Sequence, residues 1–384
     1  MPVNGRNDGK CDELYDWGGA IMDSEELKYW LWWNRVPGIG PARFNKLLKE
    51  FGTMKAAWSA SNQNLQLLIG EKVWLDMQTV QKTWDPEKEI VKAHHLGIRF
   101  YLYSEPDYPS ALKKISNPPP VLYVLGSFEY GDDIAVAIVG TRNPTPSGVV
   151  NARELSVQLT RQGLTIVSGM ARGIDSEAHK GALEAGGRTV AVLGCGIDIP
   201  YPPENEYLMK EIADRHGAVI SEFSLGTKPL AANFPARNRI ISGLSLGVVV
   251  VEATQDSGSL ITAGFALEQG REVFAVPGNI GNDGSKGPHR LIRQGAKLVE
   301  NYQDILEELA IPQLSPGEMT HGNYVAGSEL EEKIISVMSR EPLHIDQIVR
   351  LTKLASAQVN SVLIQLELGG IVKRFPGQMY LRVK

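Results

Sequence analysis

Two apolar runs without a polar break, Ala135-Val136-Ala137-Ile138-Val139 and Val248-Val249-Val250-Val251, set the strongest constraint on the fold. Successive side chains of a strand point to opposite faces, so a strand that is apolar at every position has both faces buried. A mostly parallel sheet covered by helices on each side provides that burial. Further strand candidates fall at 98–103, 121–125, 164–167, 189–193, 219–221, 273–276 and 297–299, and the first run extends over 134–139. Helical periodicity lies between many of them, at 149–162, 176–185, 204–215, 259–269 and 289–293. The reading is an α/β chain with a doubly wound, mostly parallel sheet.

The ends differ from this centre. All seven tryptophans lie before residue 85, in a stretch that closes on Asp85-Pro86. After a polar segment read as a flexible tail (1–22), Asp23 and Glu26 form a capping-box variant, and Leu27, Trp30 and Leu31 recur at helical spacing. The turn Val36-Pro37-Gly38-Ile39-Gly40 then leads to a second apolar periodicity through Phe44, Leu47 and Leu48. Residues 23–84 thus read as a helical, helix–hairpin–helix or SAM-like module. Its loop amides could meet a DNA phosphate, or the hairpin could be a packing unit only. The central domain spans 85–310, and residues 311–327, rich in Pro, Gly and Ser, read as a linker. In 328–384, Ser328 with Glu331 caps a first helix, Ile345, Ile348 and Val349 mark a second, and Val359, Val362, Leu363 and Leu366 a third. Two short strands, 371–374 and 379–381, complete a winged helix.

Composition limits the function classes. The chain of 384 residues has a net charge of −5, so any polyanion site must be a local patch. No 18-residue apolar stretch and no N-terminal apolar leader are present, so a cytoplasmic location is expected and no membrane is implied. Cys11 and Cys195 read as reduced thiols, and no Cys/His spacing suits a metal.

Ligands of open parallel sheets bind beyond the carboxyl ends of the strands. Here those ends run into Gly140-Thr141-Arg142-Asn143-Pro144, Ser168-Gly169-Met170-Ala171-Arg172-Gly173-Ile174-Asp175, Glu252-Ala253 followed by Asp256-Ser257-Gly258-Ser259-Leu260-Ile261-Thr262-Ala263, and Pro277-Gly278. Small residues before a helix present backbone N–H groups to an anion, so these loops read as a phosphate seat. Acidic residues are absent from 134–153 and from 223–251, which hold Arg142, Arg153, Lys228, Arg237 and Arg239. Asn233-Phe234-Pro235-Ala236-Arg237-Asn238-Arg239 reads as a Pro-bounded loop on which arginines grip phosphates and a ring stacks on a base. The alternative is that Phe234 is core and the arginines serve helix ends. Glu222 and Glu252 read as supports for loop amides and arginines, the alternative being a carboxylate pair at adjacent strand ends.

Enzyme motifs are sparse. The chain has no G-x-x-x-x-G-K-[ST], no G-x-G-x-x-G after its first core strand, no G-x-S-x-G and no H-E-x-x-H. Cys195 in Gly194-Cys195-Gly196 reads as a filler, and His179 as a packed or surface histidine. No cofactor is implied.

The residues Gly140-Thr141-Arg142, Ser168-Gly169 with Arg172-Gly173-Ile174-Asp175, Tyr201-Pro202-Pro203 with Asn205, Asn233-Phe234-Pro235 with Arg237-Asn238-Arg239-Ile240-Ile241, and Ser257-Gly258-Ser259-Leu260-Ile261-Thr262-Ala263 resemble the DNA-processing protein A (DprA/Smf) family over about residues 100–310. The resemblance implies an extended Rossmann-like domain and a non-catalytic protein. Such a protein dimerises, binds single-stranded DNA, helps displace single-strand-binding protein and loads the recombinase RecA during natural transformation. It places Gly140, Thr141, Arg142, Ser168, Gly169 and Arg172 on phosphate-facing loops. Asn233, Phe234, Arg237, Asn238 and Arg239 fall on the segment that meets bases and backbone, and Ser257, Ser259 and Thr262 on a loop for anion binding or support. Ala236 stands where some relatives carry a basic residue. The third winged-helix segment lacks Lys and Arg, which favours a protein contact over duplex reading.

Replacing Arg142, Arg237 and Arg239 together by Ala is expected to weaken strand binding without unfolding the chain. The competing expectation is a nucleotide-processing hydrolase of the phosphoribohydrolase type. Its Pro-Gly-Gly-x-Gly-Thr loop is only partly matched, by Pro277-Gly278-Asn279-Ile280-Gly281-Asn282.

Overall fold

The computed structural model describes residues 24–313, 328–338, 343–368, 371–375 and 378–382. The expected tail (1–22), Asp23 and most of the expected linker (314–327) lie outside the described residues. The chain divides into two compact units, Met1–Arg99 and Phe100–Lys384. In the first, the helices Ser24–Arg35 and Pro41–Phe51 flank the expected hairpin turn. Gly38 takes φ +83°, a left-handed value that glycine tolerates. Trp30 packs on Phe44 with ring centroids 4.9 Å apart, and the buried Trp33 donates its indole N–H to Met54 O at 3.2 Å.

The sheet has nine strands: β1 (Ile98–Leu102), β2 (Val121–Gly126), β3 (Ala135–Val139), β4 (Thr165–Ser168), β5 (Thr189–Val192), β6 (Gly217–Ser221), β7 (Gly247–Val250), β8 (Glu272–Ala275) and β9 (Lys297–Leu298). Their order is β1-β2-β6-β5-β4-β3-β7-β8-β9. From β6 to β9 every pairing is parallel, and β2 joins β6 antiparallel. The parallel part starts at β3, winds outward to β6, then returns to lay β7 on the other side of β3. That reversal opens a crevice at the carboxyl ends of β3 and β7.

Burial follows the apolar runs. Ala135, Ala137 and Val139 share a face with Val248 and Val250, against Ile240 and Ile241 of helix Asn233–Gly243, Leu244 just after it, and Ala263 and Ala266 of helix Gly258–Glu268. Val136, Ile138, Val249 and Val251 occupy the other face, against Leu155 and Leu159 of helix Pro146–Arg161 and Ile174, Ala178 and Ala182 of helix Ile174–Glu184. Full burial of each Val, Leu or Ile among these contributes about 1.5–3 kcal/mol, so both faces hold the sheet together.

One element differs in kind from expectation. Residues 233–239 are not a loop but the first two turns of helix Asn233–Gly243. Pro235 sits in the first turn, where a missing N–H removes no intrahelical bond and the fixed φ suits the helix. A proline that reads as a boundary in the sequence is a helix start in the fold.

The C-terminal segment forms the expected winged helix: helices Glu329–Val337, Ile345–Thr352 and Ser356–Leu368, with strands β10 (Leu343–His344), β11 (Val372–Phe375) and β12 (Met379–Arg382) in the order β10-β12-β11. Ser328 Oγ accepts from Glu331 N–H at 3.2 Å, and Ile334, Ile348, Leu363 and Leu366 are buried in a core of their own.

Candidate nucleic-acid interface

A cleft of about 540 Å³ opens beyond the carboxyl ends of β3 and β4, walled by the first turns of helices Asn233–Gly243 and Gly258–Glu268. Gly140, Thr141, Arg142, Phe234, Arg237, Asn238, Ser257, Ser259 and Thr262, drawn from three separate chain segments, all line it. Ser168, Gly169, Arg172, Asn233 and Arg239 are not among the lining residues.

The floor is an internal charge network. Arg237 is only 4% exposed and donates Nη1 to Gly169 O at 2.6 Å, to Val192 O, and Nε to Asn238 Oδ1 at 3.2 Å. Gly169 leaves room for it: a Cβ there would stand 2.7 Å from both Nη atoms. Burial lowers the Arg237 guanidinium to about 10; the nearby Asp175 carboxylate opposes that fall and Arg142 adds to it. Burial pushes Asp175 upward, while Arg237 and the amides of Ala171, Gly140 and Gly169 hold it down. Ser168, fully buried, donates its hydroxyl to Ile138 O at 2.6 Å and ties β4 to β3.

Several amides of the expected phosphate seat, in the loops after β3 and β4, already have acceptors within the protein. Thr141 N–H donates to Glu252 O at 2.7 Å and Asn143 N–H to Thr141 Oγ1 at 3.2 Å. Thr145 N–H donates to Glu252 Oε2 at 2.9 Å, and its hydroxyl to Glu252 Oε1. Asp175 takes the amides of Gly140, Gly169 and Ala171, so the protein's own carboxylates hold several amides of the loops after β3 and β4. Glu222 has the supporting role read from sequence. It accepts from both Nη atoms of Arg239 at 2.6 Å, and Arg239 also donates to Asn117 O at 2.9 Å and Ala236 O at 2.6 Å. Arg172 pairs with Glu204, and Asn233 Nδ2 reaches Lys228 O at 3.4 Å.

Arg142 differs from these arginines. It is exposed on the cleft and makes no ion pair among the described residues. Its guanidinium carbon lies 5.6 Å from the Phe234 ring centroid, within cation–π range. Phe234 is half-buried; it sits against Gly194, where a Cβ would fall 2.8 Å from the ring, and 5.6 Å from the Tyr201 ring centroid. Ser257 Oγ caps helix Gly258–Glu268 and lies 2.7 Å from Ser259 Oγ, and the first turn of that helix carries no acid. Asn238 Nδ2 donates to Gly258 O at 3.2 Å and joins the two helix starts. A free guanidinium, a pair of rings, hydroxyls and the apolar Ile241 and Ile261 suit a ligand with phosphate and flat-ring parts.

Tyr201, Asp175 and Pro229 also line the cleft; the sequence does not single them out as site residues, although Tyr201 and Asp175 lie inside the motifs that carry the family resemblance. Cys195 is buried, its thiol pushed up to about 11 by burial. His179 is buried and held neutral, lowered to about 3 first by burial and then by Arg237. Its Nδ1 meets Thr189 Oγ1 at 2.7 Å, and Thr189 in turn donates to Ile166 O at 2.7 Å. Both are packing residues. Among the described residues no three His, Cys, Asp or Glu side chains converge to hold a metal ion, and no helix is long and apolar enough to cross a membrane.

The family profile of DNA recombination-mediator protein A matches residues 99–310, and that of the DprA winged helix domain matches 323–378. Protein Smf of Synechocystis sp. is 37% identical over 94% of this chain and 100% of its own length. The X-ray structure of DNA processing protein A from Streptococcus pneumoniae is similar with a TM-score of 0.65 at 35% identity, covering 73% of this chain and 97% of that one. DNA processing protein A from Helicobacter pylori, whose structure addresses its single-stranded DNA binding mode, gives 0.51 at 31% identity over 56% and 97%. With a profile match over more than half its length and a relative similar from end to end, the chain belongs to the DprA/Smf family of DNA recombination-mediator protein A.

Proposed function

We propose that this protein binds single-stranded DNA in the cleft at the β3–β7 reversal, without cleaving it, and hands the strand to a RecA-type recombinase. The observation that carries this reading is the exposed, unpaired Arg142 over Phe234 on a wall that also holds Tyr201, Ser257 and the start of helix Gly258–Glu268. The single-stranded DNA binding of the Helicobacter pylori relative supports it. Arg142 and Phe234 meet phosphate and base. Ser257 and Ser259 offer hydroxyls, Gly140, Thr141 and Thr262 shape the wall, and Asn233 stands beside it. Ser168, Gly169, Arg237, Asn238 and Arg239 act through the scaffold. Displacement of single-strand-binding protein, homodimer formation and a cytoplasmic role in natural transformation belong to the same proposal.

A mobility shift with matched single- and double-stranded oligonucleotides at several salt concentrations tests it. Single strands bind preferentially, with log Kobs falling against log salt by about 0.7 per phosphate neutralised. Equal binding of duplex, or release of free base from AMP, contradicts it. Helix Ser356–Leu368 exposes Gln358, Asn360, Ser361 and Gln365 and carries no Lys or Arg. Deleting 328–384 therefore leaves single-strand affinity unchanged in the same assay and alters oligomeric state or partner binding; loss of strand binding would assign the wing a DNA role.

A further inference from the structure

We propose that Glu204 is a built-in competitor of the bound strand: it occupies Arg172, the next phosphate contact beyond the cleft, and the strand displaces it. The inference rests on the reading that the cleft holds single-stranded DNA.

The two backbones are anchored and the two side chains are half exposed. Arg172 lies in the turn between β4 and helix Ile174–Glu184. Its neighbour Ala171 lines the cleft. Its other neighbour, Gly173, takes φ +75° and packs so closely on the Arg142 loop that a Cβ would stand 2.5 Å from Thr141 O. Arg172 is therefore held at the rim beside the segment that carries Arg142. Glu204 belongs to the short turn Pro203–Asn205, just after the cleft residue Tyr201. Asn205 Nδ2 fastens that turn by donating to Met170 O at 2.9 Å and Ser176 Oγ at 2.8 Å. From these anchored turns Arg172 Nε and Glu204 Oε1 meet with side chains 52% and 50% exposed.

An ion pair this open contributes little to stability, and its carboxylate sits where a phosphate oxygen can replace it. The Arg239–Glu222 pair is the internal contrast. It is bidentate, its side chains are 10% and 13% exposed, and backbone carbonyls add to it, so it is part of the fold. The Arg172–Glu204 pair has one contact on each side and faces solvent. Its pairing raises Arg172 and lowers Glu204, as expected when each group holds the other charged. A strand anchored at Arg142 that continues past Tyr201 reaches Arg172 only by expelling Glu204. Affinity and salt dependence are thereby held below what the arginines alone would give.

Binding of a labelled oligothymidine to the full-length protein, followed by fluorescence anisotropy at several salt concentrations, tests this. E204Q tightens binding about two- to fivefold. It also steepens the salt slope by about 0.7. The gain disappears in an R172A background, and E206Q, the same charge change at the nearby Glu206–Lys210 pair, binds as the unaltered protein does. Unchanged or weaker binding by E204Q overturns the inference, as does an equal gain in R172A or in E206Q. Failure of the unaltered protein to bind the oligonucleotide overturns the parent reading, and this one with it.

Discussion

Arg237→Ala unfolds at a lower urea midpoint than the parent protein, with a loss of about 3 kcal/mol at an unchanged m-value. The reason is position rather than charge alone. The guanidinium satisfies the carbonyls after β4 and at the end of β5, orients Asn238, and faces the buried Asp175. An alanine leaves two buried carbonyls without their donor and a buried carboxylate without its countercharge. Strand binding falls in this variant as well, because the floor of the cleft is lost. A urea melt read by fluorescence and by far-UV circular dichroism separates the two effects, and parent-like stability of Arg237→Ala would show that the network is dispensable.

Arg142→Ala has the opposite profile. Its side chain is exposed, makes no ion pair among the described residues and contacts the fold through the Phe234 ring. The urea midpoint stays where it was, while single-strand affinity drops about 10- to 100-fold, the range for one charge-assisted phosphate contact. The salt slope becomes shallower by about 0.7, for one phosphate no longer neutralised. The sequence expectation that Arg142, Arg237 and Arg239 can be removed together without unfolding is thus replaced. Arg142 is the cation that tests binding, whereas Arg237 and Arg239, the latter clasped by Glu222, report on folding.

The architecture was legible because it rests on short-range rules. An uninterrupted apolar strand has to be covered on both sides, and both faces of β3 and β7 are indeed buried. The convergence of the Gly140, Phe234 and Ser257 segments was legible for the same reason, since parallel strands bring their carboxyl ends to one edge. Two things were not. The segment 233–239 looked like a loop because Pro235 reads as a breaker, and only the position of Pro235 in a first helical turn reverses that. The loops after β3 and β4 read as open anion seats in the sequence, yet Asp175 and Glu252 take several of their amides, and Asp175 does so through contacts that fold from separate strands. Whether an arginine is free or occupied depends on partners distant in sequence: Glu222 is 17 residues from Arg239, and Glu204 is 32 from Arg172. Charge counting along the chain does not detect such pairs.

Ultraviolet cross-linking of a thymine-containing oligonucleotide to the full-length protein, with the attachment sites mapped by mass spectrometry, tests the central claim most directly. The account predicts attachment at Phe234 and Tyr201, whose ring centroids stand 5.6 Å apart in the cleft, and its loss in Arg142→Ala. Attachment confined to the hairpin at 36–40 or to the winged helix at 343–382, with the cleft unmarked, would contradict it.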